Sequence, residues 1–498
     1  MIAVNETFKK KADDFKRPLI ERDVFPVNIV EIVKDANSFQ GLKAVKINDF
    51  KLPIKFDSGD KLLIDFGEHC VGYLNFSLNK ATDSLIVDSP AKFKFSFGEF
   101  PLEIVKDDYK GTLGNGWLQR EEKSIVFMPY NGSLERRYSF RYLLIERTDN
   151  ARYSIEINEL FAKCVSAVEI KDTFKTDDKL LDDIYDISIK TLRDCEQDVF
   201  EDGPKRDRRL WIGDLRLQAL TDYYTFKNID LVKRCLYLFA AYRPDNKVAP
   251  CVFPDSPPYV DSWNFADYSL FFISCLYDYM KNRDDISFIK ELYPIALEQF
   301  KITSSLINGR KIEAFPFIDW CPDLNKSVSL WGVYIYTLKQ LKEIALKINE
   351  SVLEINSEIK KATEILLSFK NDDGLFETDD GQISYHSQIW AVLSGVLSEK
   401  ENIDLLEKIK NTDTEFTMRT PYMIHYYIEA LDSCGLKDEA ISQIKDYWGK
   451  IIEKGFDCCP EIFNPENEFE SPYSAPEINS ACHAWSCTPA YWICKFYK

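Results

Sequence analysis

From about residue 20 to residue 168, apolar and polar positions alternate in short runs, as strands with one buried face require. Val24-Phe25-Pro26-Val27-Asn28-Ile29-Val30, Lys61-Leu62-Leu63-Ile64-Asp65-Phe66, Gly72-Tyr73-Leu74-Asn75-Phe76-Ser77-Leu78 and Phe93-Lys94-Phe95-Ser96-Phe97 are β-branched or aromatic-rich. Gly, Asp, Asn and Pro punctuate them, and residues 137–146 and 153–157 continue the pattern. A β-sandwich is the economical reading. Near Asp172 the period lengthens to about three and a half and stays there to the end of the chain. Apolar spacing predicts about twelve helices, starting near Asp178, Asp214, Asn228, Trp263, Ser287, Lys326, Leu353, Tyr385, Asn402, Pro421, Leu436 and Ser480. Helices in pairs without a repeated sequence period favour six hairpins closed into an (α/α)6 toroid over a solenoid. The expected architecture is a polar arm or short helix at 1–20, a β-sandwich domain at 21–170 and an (α/α)6 domain at 171–498.

Composition narrows the function. The 498 residues carry a formal charge of −18, which repels a phosphate backbone and argues against nucleic acid as a partner. No signal-peptide core opens the chain and no run reaches membrane-spanning length, so a cytoplasmic protein away from membranes is expected. The 13 cysteines are odd in number and scattered, with Cys458 and Cys459 adjacent, which suits reduced thiols better than a disulfide framework. With four histidines and only Cys482-His483 in ligand-like proximity, no zinc spacing is visible. Neither a metal nor another cofactor is expected, and the oligomeric state is left open.

The densest candidate chemistry lies at 201–217, EDGPKRDRRLWIGDLRL. Asp202, Asp207 and Asp214 alternate there with Arg206, Arg208 and Arg209, and Trp211 precedes the last acid. Gly203-Pro204 disfavours helix at the start, and Asp214 is placed to N-cap the helix that follows. A carboxylate beside arginine has its pKa lowered; one against an indole in an apolar wall has it raised. Such a loop can keep one acid protonated and its neighbours ionised, as acid/base cleavage of a glycosidic bond requires. Taken alone, a stretch of this kind is more often a surface charge network.

Aromatic residues add to the picture. Trp211, Trp263, Trp320, Trp331 and Trp485 fall at expected helix starts or in loops, the first three with acids close by (Asp214, Asp261, Asp267, Asp319). Any one tryptophan is usually core packing. Several beside acids suit a sugar, whose apolar ring face and hydroxyl rim want a flat aromatic wall and charged hydrogen-bond partners.

Together these stretches resemble glycoside hydrolase family 78, the α-L-rhamnosidases with a six-hairpin catalytic domain, over most of the chain. Leu63-Ile64-Asp65-Phe66-Gly67-Glu68 with Val71-Gly72-Tyr73 looks like the family's DFG turn, and Tyr138-Ser139-Phe140-Arg141-Tyr142 like its F-R-Y strand. Asp202-Gly203-Pro204-Lys205-Arg206-Asp207 and Trp211-Ile212-Gly213-Asp214 echo the central signature. Phe317-Ile318-Asp319-Trp320, Pro421-Tyr422-Met423, Tyr447-Trp448-Gly449 and residues 478–486 are similar to further family stretches.

The resemblance implies inverting hydrolysis that releases terminal α-L-rhamnose, with a small carbohydrate as substrate. By motif position Asp207 is the general acid and Glu461, in Cys459-Pro460-Glu461-Ile462-Phe463, the general base. Asp202, Arg206 and Asp214 are expected to hold sugar hydroxyls, Trp211, Trp263 and Trp320 to wall the pocket, and His483 to hydrogen-bond the sugar. The chain departs from the family in reading Arg206-Asp207-Arg208-Arg209 where Glu is usual. Counted back from Trp211 and Asp214, Asp207 takes the acid position; counted forward from Asp202, Arg208 does. The first register is preferred because Trp211 and Asp214 are fixed to the helix start. The chain also ends soon after its last helix, at Lys498, where many relatives carry a further β domain, which suits small glycosides or short oligosaccharides. Two alternatives remain: a same-fold hydrolase for another glycosyl unit, and a carbohydrate-binding relative with a degraded acid.

Overall fold

The alternating segments hydrogen-bond as expected, but into a single antiparallel sheet. In this computed structural model, which describes residues 4–81, 87–171, 174–255, 258–261 and 265–498, ten strands join along the order Ile20–Val24, Ile155–Ser166, Lys61–Lys80, Tyr138–Arg147, Ala91–Gly98 and Arg120–Ile125. Four further strands branch from this path. The 20-residue strand Lys61–Lys80 makes the sandwich continuous: its first half pairs with Tyr138–Arg147, from Lys61↔Glu146 to Gly72↔Tyr138. Its second half pairs with Ile155–Ser166 and Tyr130–Ser133. Phe66, Leu74, Phe76, Phe93, Phe95, Phe140 and Ile157 are among the residues of its buried core.

The register breaks between Asp65 and Cys70, and the reason is local. Gly67 takes φ 77°, a conformation open to glycine, and its N–H donates to Asp65 Oδ1 at 2.8 Å. The same carboxylate accepts from Arg141 Nε at 2.9 Å, so the two β-region stretches picked out in the sequence meet each other.

Beyond Ser166, twelve α-helices follow among the described residues, the first being Lys179–Cys195. Ile212–Tyr224, Ala266–Asn282, Ser327–Lys347, Tyr385–Leu393, Pro421–Ser433 and Pro489–Tyr497 pack each on the next as an inner ring. Trp492 Nε1 donates to His425 Nδ1 at 3.1 Å where the ring closes. Inner helices are covered all round: every residue from Ile212 to Tyr223 is buried. Polar residues inside them therefore need internal partners, and Arg216 finds Asp278, Glu429 and Tyr336. Outer helices bury one stripe; Leu353–Leu367 buries only Ile355, Ala362 and Leu366.

Two expectations are corrected. The final helix starts at Pro489, not near Ser480, because residues 480–488 run as a loop with one tight turn at Ala484–Ser486. Trp331 is fully buried in the second turn of Ser327–Lys347, donating to the Arg310 carbonyl, and is core rather than loop. Of the two forms expected for the polar N-terminus it takes the helix, Glu6–Asp14, capped by Asn5 and held against Ile229–Ala241, with Arg234 donating to the Ala12 carbonyl at 2.7 Å.

Candidate active site

Loops at the N-terminal ends of the inner helices converge on a cavity of about 230 Å³. Asp202, Arg206, Asp207, Trp211, Asp214, Trp320, Glu461 and His483 all line it. Trp263 lies outside the described residues.

The segment 201–209 is a buried turn, not a surface network. Asp202 organises it: Oδ2 accepts the Asp207 N–H at 3.1 Å and Oδ1 the Arg209 N–H at 3.0 Å. Arg208, at φ 62°, turns away from the cavity and donates to the backbone carbonyls of Pro204 and Arg137. That leaves Asp207 facing the cavity, its side chain 19% exposed. Leu210–Trp211 then pairs with Cys251–Phe253, and the helix begins at Ile212 with Trp211 as N-cap. The expected N-cap, Asp214, sits instead in the first turn, its Oδ1 3.1 Å from His483 Nε2. Gly213 lets this turn approach Tyr268, since a Cβ there would lie 2.6 Å from the ring.

Glu461 faces Asp207 across one guanidinium. Arg206 Nη2 donates to Glu461 Oε2 at 2.5 Å and Nη1 to Asp207 Oδ1 at 3.3 Å. A guanidinium spans its two terminal nitrogens rigidly, so those carboxylate oxygens are at most about 8 Å apart. The Tyr473 hydroxyl donates to Glu461 Oε1 at 2.5 Å, and its ring packs 4.0 Å from the Arg206 guanidinium carbon.

This arrangement pushes the carboxyl groups in opposite directions. Burial raises Glu461, but Arg206, His483 and Tyr473 outweigh it and hold the carboxyl below its usual range. Burial, reinforced by Asp207 and Asp214, pushes Asp202 up to about 7. Asp214 is raised by burial against the pull of His483. Burial lowers His483, yet Asp214, Glu461 and Asp202 raise it overall.

Tyr473, Tyr268, Phe265 and Phe317 also line it, none of them singled out for the site from the sequence; Arg209 of the 201–217 cluster, Asp261 beside a tryptophan, the loop tryptophan Trp485 and Leu113 complete the lining. Tyr473 lies in Ser471-Pro472-Tyr473-Ser474, a turn-rich stretch between Glu461 and His483 whose position was its one signal. Leu113 comes from the 111–117 loop of the β-region, where the Thr112 N–H donates to the Tyr473 carbonyl at 2.9 Å. Two acids near tryptophans serve loops instead. Asp267 accepts the Phe317 and Ile318 N–H groups, and Asp319 binds His386, Thr420 and the Arg419 N–H.

Comparison with known proteins agrees with this architecture. Residues 26–164 match the glycosyl hydrolase family 78 alpha-rhamnosidase N-terminal domain, and residues 170–496 the bacterial alpha-L-rhamnosidase 6 hairpin glycosidase domain. A Klebsiella oxytoca rhamnosidase, solved with rhamnose bound, superposes with a TM-score of 0.95 at 35% identity, covering 100% of this chain and 99% of that one. A Bacillus sp. GL1 family 78 rhamnosidase (TM-score 0.75, 19% identity) and a Streptomyces avermitilis α-L-rhamnosidase complexed with L-rhamnose (0.68, 14%) share the fold. They are longer proteins: the match covers 91% and 96% of this chain but 49% and 44% of theirs. No curated protein sequence matches. A β-sandwich joined to a six-hairpin ring, with matches to both parts, makes this chain a member of glycoside hydrolase family 78, the α-L-rhamnosidase family.

Proposed function

We propose that the chain hydrolyses small glycosides to release terminal α-L-rhamnose with inversion, Asp207 serving as general acid and Glu461 as general base. The observation that carries the reading is the single Arg206 guanidinium between the two carboxylates. It holds the two carboxylate oxygens no more than about 8 Å apart, below the upper end of the roughly 6.5–9.5 Å that inverting hydrolases leave for a water. In the forward step Asp207 gives its proton to the glycosidic oxygen as that bond breaks. Glu461, kept ionised, takes a proton from the water attacking the opposite face of the sugar. Asp202 is the second candidate for the acid because it stays protonated to about 7. Its two oxygens already accept backbone N–H groups, which favours a role in shaping the loop.

The cavity is smaller than the ~300–1,000 Å³ of drug-sized ligand sites, which suits one sugar ring. Trp211 and Trp320 are proposed as walls for its apolar face, with Asp202, Arg206, Asp214 and His483 for its hydroxyls. No described helix is long and apolar enough to cross a membrane. All 13 cysteines are unpaired and buried, which supports a reducing compartment such as the cytoplasm. Proton NMR of an α-L-rhamnoside digest tests the reaction. The β-anomer of free rhamnose should form first and then mutarotate; initial release of the α-anomer, or no rhamnose, would contradict the proposal.

A further inference from the structure

Four side chains outside the sugar cavity converge where the β-region meets the helical ring. His69 projects from Lys61–Lys80, Asp194 from the last turn of Lys179–Cys195, and Cys458 and Cys482 from the loops that lead to Glu461 and His483. One donor atom from each lies within 4.8 Å of all the others. All four are buried, none more than 4% exposed. We propose that His69 Nδ1, Asp194 Oδ2, Cys458 Sγ and Cys482 Sγ form a structural site for a tetrahedral, thiophilic divalent cation, zinc by preference.

The donor chemistry selects the ion. One imidazole, one carboxylate and two thiolates suit zinc, whereas calcium and magnesium take oxygen donors. Bonds of about 2.0–2.3 Å place tetrahedral donors ~3.3–3.8 Å from one another. Cys458 Sγ lies 3.9 Å from Asp194 Oδ2, close to that spacing. His69 Nδ1 and Asp194 Oδ2 are 2.8 Å apart and share a proton, so the cation replaces that proton and opens the pair by about half an ångström. Binding also releases the two thiol protons.

Groups behind the donors are already in place. The other ring nitrogen of His69 faces Glu99 Oε1 at 3.2 Å and Ser139 Oγ at 2.9 Å, the carboxylate–histidine pairing that orients an imidazole toward a metal. The remaining oxygen of Asp194 is held by Arg193 at 2.7 Å. Two thiolates and a carboxylate around a dication leave one net negative charge, and the Arg193 guanidinium sits beside it. Such an ion would tie a strand, a helix and two loops together, with Cys458 three residues before Glu461 and Cys482 next to His483. The donors span residues 69 to 482, so no short-range ligand spacing could reveal them.

The test is metal content of the full chain, purified under reductant and exposed to Zn²⁺ or Co²⁺ before desalting. About one zinc per chain by mass spectrometry is expected. The cobalt form should show thiolate-to-metal charge transfer and the strong visible bands of a tetrahedral site. Cys458→Ser and His69→Gln should each cut retained zinc at least tenfold, and chelation should lower the wild-type Tm. Because those variants could fail to fold, the wild-type cobalt spectrum decides independently. Wild-type chain that keeps no zinc, a weak octahedral cobalt spectrum, or equal zinc retention by the Cys458→Ser/Cys482→Ser double variant would overturn the proposal. So would a metal-free disulfide joining Cys482 to Cys458 or Cys195, whose sulfur is 3.9 Å from that of Cys482.

Discussion

Tyr473→Phe removes a single hydroxyl from the proposed base and should move one limb of the pH profile. In the native site that hydroxyl donates to Glu461 Oε1, while Oε2 is covered by Arg206 Nη2 and the Ser480 N–H. Burial alone would carry this carboxyl upward, and the phenol is one of the groups that hold it down. A hydrogen bond to a charged group is worth ~1.5–3 kcal/mol. At about 1.4 kcal/mol per pH unit, that corresponds to ~1–2 units. Water from the adjoining cavity replaces part of the loss, leaving an expected rise of ~0.5–1 unit. The base must be ionised to act, so kcat/KM climbs with pH through its pKa, and raising that pKa shifts the acid limb to higher pH. The phenyl ring keeps its place against Arg206, so the plateau should change little. The assay is kcat/KM against pH on a rhamnoside with a poor leaving group, wild type beside variant. An acid limb that stays put or moves down would refute the link between Tyr473, Glu461 and proton abstraction.

Three further outcomes follow from the packing and charge described above. Trp320→Ala should raise KM about tenfold, as ~1.4 kcal/mol of wall contact is lost, with the unfolding midpoint nearly unchanged because this indole is 38% exposed; an unchanged KM would remove Trp320 from the sugar site. Gly332→Ala gains ~1 kcal/mol of helix propensity but sets a Cβ 2.6 Å from the Trp390 carbonyl, so denaturant melts should show a net loss of ~1–3 kcal/mol rather than a gain. Burial pushes Asp222 up to about 7 and, with repulsion from Asp222, holds Glu196 well above its usual range. The native pair thus keeps protons that the unfolded chain releases from pH ~4 upward, and stability falls as pH rises toward 7. Glu196→Gln should stabilise the protein more at pH 8 than at pH 5; equal effects in denaturant melts would contradict this.

The sequence was most informative where function is packed into a short stretch. Asp202, Arg206, Asp207, Trp211 and Asp214 fall within 13 residues, and the turn that begins at Gly203-Pro204 leaves them on one wall of the cavity. The switch from strands to helices was equally legible, because a change of period survives any uncertainty at element ends. Glu461 and His483 lie some 260 residues away and were reachable only through family resemblance. Tyr473 carries no period and no charge, and only the fold brings it against Arg206 and Glu461. Asp267 and Asp319 show the converse: an acid beside a tryptophan reads the same whether it binds sugar or pins a loop. Here backbone N–H groups of the neighbouring loops claim both. Trp331 was misplaced because it follows a Pro- and Asp-rich loop by only a turn and a half of helix.

The most direct test of the account compares wild type, Asp207→Asn and Glu461→Gln on p-nitrophenyl α-L-rhamnoside and on a natural rhamnose disaccharide. The activated aglycone needs little protonation. Asp207→Asn should therefore lose ~10²–10⁴-fold on the disaccharide and far less on the nitrophenyl substrate, while Glu461→Gln loses heavily on both. Disaccharide cleavage that survives Asp207→Asn would contradict the assignment at its centre.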